Sequence, residues 1–134
     1  MKLVIDTNIL FSFFLHSSTT RKLILTTNFE LVSPKLALEE LFKYSEEIIT
    51  KAGIKKQDFQ KDLEALKGIV KFIEKEDYLP QLNAAEEISP DKADAEFFAL
   101  CLKFNCILWS NDFVLKEQDK IRVLSTGDII NLIL

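Results

Sequence analysis

The sequence predicts an α/β fold, a three-layer α/β/α sandwich built on a five-stranded parallel sheet. Three observations predict it. Short unbroken apolar runs recur along the chain, and a run without alternation marks a strand buried on both faces. Segments with helical apolar spacing separate these runs, which makes right-handed βαβ crossovers the natural connection. Only 3 Gly and 3 Pro occur in 134 residues that are 48% apolar, so one core fits, and no repeat or linker divides the chain.

Leu3-Val4-Ile5 is the first strand. Asp6-Thr7-Asn8 follows as a strand-to-helix turn whose side chains suit a helix N-cap. Ile9 to Leu15 reads as the start of a buried helix, and Thr19 to Thr27 as a short second helix capped by Thr19 or Thr20. Phe29 to Ser33 is the second strand. Ser33-Pro34 then opens a helix, with Ser at the cap and Pro at the first helical position, that runs to about Thr50 and is punctuated by Gly53. Gln57 to about Lys67 is a polar helix with Phe59, Leu63 and Leu66 on one face. Ile69 to Ile73 is the third strand, and Leu79 to Glu87 is helical. Ser89-Pro90-Asp91 starts another helix by the same cap-plus-Pro logic, carrying Ala93, Phe97, Leu100, Cys101 and Phe104. Cys106 to Trp109 and Ile121 to Leu124 are the last strands, and Thr126 to Leu134 closes the chain as an apolar helix.

Composition excludes several classes. A net charge of −4 argues against gripping nucleic acid through bulk positive charge, although it leaves room for local phosphate binding. Cys101, Cys106 and the single histidine, His16, fall short of a zinc site, so both cysteines read as core thiols. Ile9 to Leu15 is too short to span a membrane, and Asp6 interrupts any leader-like apolar start. The expectation is a cytoplasmic protein with no membrane association.

Four acids occupy positions where such a sheet binds ligands, beyond the carboxyl ends of its strands. Asp6 ends the first run, and Asp112 follows Trp109-Ser110-Asn111. Glu40 and Asp94 lie in the helical segments between. Each has a plain alternative. Asp6 could simply cap a helix, Asp112 could be a turn residue, and Asp91 and Asp94 could both serve a helix dipole. Glu39 and Glu40 point about 100° apart on a helix, and periodicity alone favours a solvated pair. Carboxylates gathered in one crevice repel each other unless a cation joins them.

These residues, in this order, resemble the PIN-domain ribonucleases. The resemblance rests on Val4-Ile5-Asp6-Thr7-Asn8, on Leu38-Glu39-Glu40-Leu41, and on Asp91-Lys92-Ala93-Asp94-Ala95 followed by Ala99-Leu100. Ile107-Leu108-Trp109-Ser110-Asn111-Asp112 completes it, and it spans nearly the whole chain. It implies a single nuclease domain over residues 1–134, with Asp6, Glu40, Asp94 and Asp112 as catalytic, metal-binding acids. Asn8 and Ser110 would support the site, Ser110 standing where the family often has Thr, and Asp91 would be an additional acid. The implied cofactor is Mg²⁺ or Mn²⁺, since hard oxygen ligands suit these ions. The implied reaction is cleavage of single-stranded RNA by attack of a metal-activated water on a phosphodiester. Small members of the family resemble VapC-like toxins, which implies an antitoxin partner and a homodimer, and the early Phe11, Phe13 and Phe14 are candidates for such contacts. Arg21, Lys22, Lys35, Lys43 and Lys116 are candidate phosphate ligands, with solvated surface charge as the plainer reading.

The competing expectation is a non-catalytic PIN-like module that binds RNA or protein. A phosphatase with Asp6 as nucleophile would want a second Asp two residues on, where this chain has Asn8. A receiver-like signalling domain would want paired early acids and a lysine after its last strand; neither pattern stands out.

Overall fold

The apolar runs form β1 (Lys2–Ile5), β2 (Glu30–Pro34), β3 (Val70–Ile73), β4 (Ile107–Trp109) and β5 (Val123–Leu124). They assemble into one sheet in the order β3-β2-β1-β4-β5, with every neighbouring pair parallel. The computed structural model describes residues 1–134. Leu3, Val4 and Ile5 of the central strand have no exposed surface, as an unbroken apolar run in a sheet covered on both faces requires. The order reverses at β1. From it the chain builds outward through β2 and β3, then returns to lay β4 and β5 on the other side. That reversal opens a crevice at the carboxyl ends of β1 and β4, the place where open α/β sheets bind ligands. A hydrogen bond from Asp6 N to Trp109 O, at 3.2 Å, prolongs the β1–β4 pairing into this crevice.

The helices are α1 (Thr7–Ser12), α2 (Thr19–Thr26), α3 (Lys35–Lys43), α4 (Ser45–Ala52), α5 (Lys56–Ile69), α6 (Lys75–Tyr78), α7 (Leu82–Ile88), α8 (Ala95–Phe104) and α9 (Thr126–Ile133). None is long and apolar enough to cross a membrane. The most deeply buried is α8, whose Phe97, Phe98, Ala99, Leu100 and Cys101 sit within the core and which packs on β1 and β2. It ends at Asn105, which takes the left-handed conformation (φ 50°) that Asn tolerates better than most residues, and Cys106 N then donates back to Cys101 O. Gly53 ends α4 in the same conformation.

Several expected boundaries move, each for a physical reason. The helix expected from Ser33 to Thr50 is two helices, α3 and α4, broken at Tyr44 (φ −102°, ψ 20°). Ser33 is not its cap. It is fully buried in β2, and its hydroxyl donates to Ile5 O at 2.8 Å, tying β2 to the end of β1. Pro34 takes the cap position and offers no side-chain bond. Ser89 likewise closes α7, while Asp91 caps the 3-10 turn Lys92–Asp94 that leads into α8. The segment expected as one helix from Leu79 to Glu87 is α6, a 3-10 turn at Leu79–Gln81, and then α7. Ser18, not Thr19 or Thr20, caps α2 through Arg21 N. The first helix stops at Ser12, and Cys106 lies just before β4 rather than in it.

Arg21 belongs to the scaffold and not to a phosphate site. Its guanidinium donates to Phe13 O at 2.6 Å and to Asp62 Oδ1 at 3.2 Å, and lies over the Phe13 ring. Asp62, buried on α5, also meets His16 Nε2 at 2.6 Å, so this carboxylate is matched on both oxygens. Phe13 and Phe14 are wholly buried, and Phe14 stacks on Phe59 of α5; core packing, not a partner, accounts for them. Trp109 is buried with its indole N–H satisfied by Thr126 Oγ1 at 3.1 Å.

Ser33→Ala is expected to cost about 1 kcal/mol in urea unfolding, because it removes one buried hydrogen bond without opening a large cavity. A loss indistinguishable from zero would mean that the Ser33 hydroxyl does not help to hold β2 against β1.

Candidate functional site

Segments from β1, α3 and the start of α8 meet at the carboxyl edge of the sheet. Asp6 leaves β1 in extended conformation and caps α1, its Oδ1 accepting from Ile9 N at 2.9 Å. Only 6% of Asp6 is exposed. Glu40 comes from the middle of α3, where Thr7 Oγ1 donates to its Oε1 at 2.9 Å and so fixes it across the α1–α3 contact. Asp94 stands at the N-terminal end of α8, yet its side chain makes no capping bond. Its carboxylate lines the cleft.

Asp6, Glu40 and Asp94 line one cleft of about 290 Å³ together with Thr7, Asn8, Phe11, Tyr44, Ala93 and Phe97. Glu39, one position before Glu40, faces a different hollow with Lys35, Glu74 and Tyr78. Asp112 is not part of the cleft lining. It is exposed and caps the 3-10 turn Phe113–Glu117 through Val114 N. Its charge still reaches the cleft, where it opposes ionisation of both Asp6 and Asp94. Asn8 lies on the cleft wall and is exposed. Ser110 is fully buried at the end of β4, where its Oγ accepts from Asp112 N at 3.1 Å. Asp91 is exposed, holds Ala93 N at 3.0 Å and adds to the negative field on Asp94.

Burial and like charge act together on the acids. Asp94 is pushed up to about 6, first by desolvation and then by Asp91, Asp6, Asp112 and Glu40. Burial also raises Asp6, against the pull of the Ser110 hydroxyl and the Ile9 amide, with Asp112 adding repulsion. Each carboxylate therefore sits where positive charge would be welcome. No three acid, histidine or cysteine side chains converge closely enough to hold one ion between them. The donor set is nonetheless hard oxygen, which suits an ion that keeps several of its waters and takes one or two carboxylates.

Among the basic candidates, Lys35 pairs with Glu74 at 3.0 Å and Lys116 with Asp128 at 2.8 Å. Lys22 is exposed on α2. Lys43 borders a hollow shared by Glu39, Glu40, Tyr44 and Ala93. The sequence reading passed over Thr7, Phe11, Tyr44 and Phe97 as cleft residues. A signal for Tyr44 was present, since it lies four residues after Glu40 and so on the same helical face.

Fold and site define an α/β protein with an acidic crevice at the switch point of its parallel sheet. The family model described as PIN domain matches residues 4–123, and the chain belongs to the PIN-domain family. Among solved structures, the chain is similar to a chain of VapBC2 from Rickettsia felis, crystallised bound to a DNA fragment from the promoter. The TM-score is 0.64 at 18% identity, covering 93% of this chain and 98% of that one, a likeness of fold. No curated protein matches the sequence.

Proposed function

We propose that residues 1–134 form one metal-dependent endoribonuclease domain that cuts single-stranded RNA, with Asp6, Glu40, Asp94 and Asp112 as its acidic groups. The observation that carries this reading is the meeting of Asp6, Glu40 and Asp94, from three separate elements, in one cleft at the switch point. The like charge that Asp91, Asp6, Asp112 and Glu40 bring to bear on Asp94 is further support, since a cation would relieve it. Family membership supports the same reading.

Asp6 and Asp94 would hold Mg²⁺ or Mn²⁺ directly, with Glu40 and Asp112 reaching it directly or through waters. A bound ion of this kind supplies positive charge at a phosphodiester and lowers the pKa of a coordinated water. The chain's own part is placement. Thr7 fixes Glu40, the Ile9 amide fixes Asp6, and Ser110 joins the turn of Asp112 to the neighbourhood of Asp6. Asn8 would orient water or phosphate from the cleft wall. The likeness to a chain of VapBC2 supports a finer reading, that this is the toxin of a toxin–antitoxin pair, restrained by a partner protein; a homodimer and a cytoplasmic location are further parts of the proposal.

The purified protein is expected to cleave a random-sequence pool of single-stranded RNA with Mn²⁺ or Mg²⁺. EDTA should stop it, and excess ion should restore it. Cleavage that continues in EDTA removes the metal from the proposal. A folded protein that leaves the whole pool intact removes the nuclease, and the non-catalytic binding module then stands in its place.

A further inference from the structure

Tyr44 is the residue at which the α3–α4 path breaks, and the break sets its ring at the mouth of the acidic cleft. It lines that cleft alongside Asp6, Glu40 and Asp94, and also an adjoining apolar groove of about 120 Å³ with Phe11, Leu15, Ile48 and Ala52. The ring therefore forms the wall between a place for charge and a place for apolar surface. It is 38% exposed, so the side chain is open to a ligand from solvent. Phe11 meets it edge-on, centroids 6.4 Å apart and planes at 76°, which supports the ring. Lys43 Nζ lies over one face of the ring, 5.4 Å from its centroid, and carries no ion pair, so a base takes the other face and the ammonium remains beside it to meet a phosphate.

The geometry points to Tyr44 as a stacking platform for a nucleobase of the RNA strand, on the nucleotide next to the phosphate in the acidic cleft. This inference rests on the nuclease reading above. A single strand carries an unpaired base beside each phosphate, and an aromatic face accepts any base with little regard to sequence. The base lies against the ring on the side of the apolar groove, and Lys43 faces the neighbouring phosphate. A paired duplex keeps its bases stacked on each other and offers none to the ring. Tyr44 would thus help select single strands, a task the acids alone cannot perform.

The test compares KM and kcat of the wild type, Tyr44→Ala, Tyr44→Leu and Tyr44→Phe on one single-stranded RNA that the wild type cleaves. Loss of stacking is expected to raise KM about five- to a hundredfold in the Ala and Leu variants, with kcat little changed. Tyr44→Phe should restore the affinity, because the face is what binds. An RNA with an abasic residue beside the scissile phosphate should bind the wild type as weakly as it binds Tyr44→Leu. Thermal unfolding confirms that each variant is folded, and Tyr44→Leu keeps the bulk should Tyr44→Ala fail to fold. Unchanged KM in folded Tyr44→Leu, or equal cleavage of abasic and intact RNA, overturns the stacking role while the nuclease reading stands. Failure of the wild type to cut any single-stranded RNA removes both.

Discussion

Asp94→Asn is expected to reduce RNA cleavage more than about 100-fold, beyond what loss of an outer-shell partner costs a metal site. The amide keeps the shape of the carboxylate and removes its charge, so the fold should survive. It should even gain. In the folded protein the Asp94 carboxyl is pushed up to about 6 from 3.8, by burial and then by its acidic neighbours. As pH rises from about 4 to 6, the unfolded chain releases this proton before the folded one does. Stability therefore falls across that window and stays at the lower level above it. Asn has no proton to release, so the variant should exceed the wild type above pH 6 by on the order of 1 kcal/mol, discounted for solvent screening of a half-buried group. The difference should vanish near pH 3.5. Urea unfolding at both ends of the range checks this, alongside cleavage assays. A folded Asp94→Asn protein that still cuts RNA withdraws its role, and one that is less stable at pH 7.5 contradicts the repulsion.

A second large effect is expected from the ion itself. Mn²⁺ at about a hundred times its Kd stabilises a folded state that alone binds it by about 3 kcal/mol. For a chain of this length that corresponds to a rise in Tm on the order of 10 °C. Asp6→Asn should remove most of the rise. Its amide oxygen can still accept from Ile9 N, so the cap on α1 is retained, and the lost increment reports on the ion rather than on the helix. An equal rise in both proteins would place the ion away from Asp6.

Strands and helices were legible where physics is local. The central strand reads as Leu3-Val4-Ile5 because a strand buried on both faces has no polar positions to alternate. Ser33-Pro34 and Ser89-Pro90 look alike in sequence and act differently. One serine bonds a neighbouring strand and the other closes a preceding helix, and only long-range partners separate the two. The break at Tyr44 was hidden because apolar spacing continues from α3 into α4. The acids were legible as a set by their place after strands and within family blocks, not one by one. Glu40 and Glu39 differ by one step of helix rotation; both border the hollow beside Lys43, but only Glu40 also lines the cleft of Asp6 and Asp94. Asp112 fits both of its readings at once, since it caps a turn through Val114 N while its charge bears on Asp6 and Asp94.

The central position of β1 has a consequence for how the molecule is made. The central strand is flanked on one side by β2 and on the other by β4, which is made long after it. An unfinished chain can pair β1, β2 and β3, but it has no wall opposite Asp6 until α8 and β4 have emerged. Closing that distant pairing is a late and slow event, as for any contact between residues far apart in sequence. Asp6 and Glu40 are thus present in a nascent chain without Asp94, and the acidic crevice comes into being only once α8 has been made. On the proposed reading, strand order keeps the acids of the site apart until that helix exists.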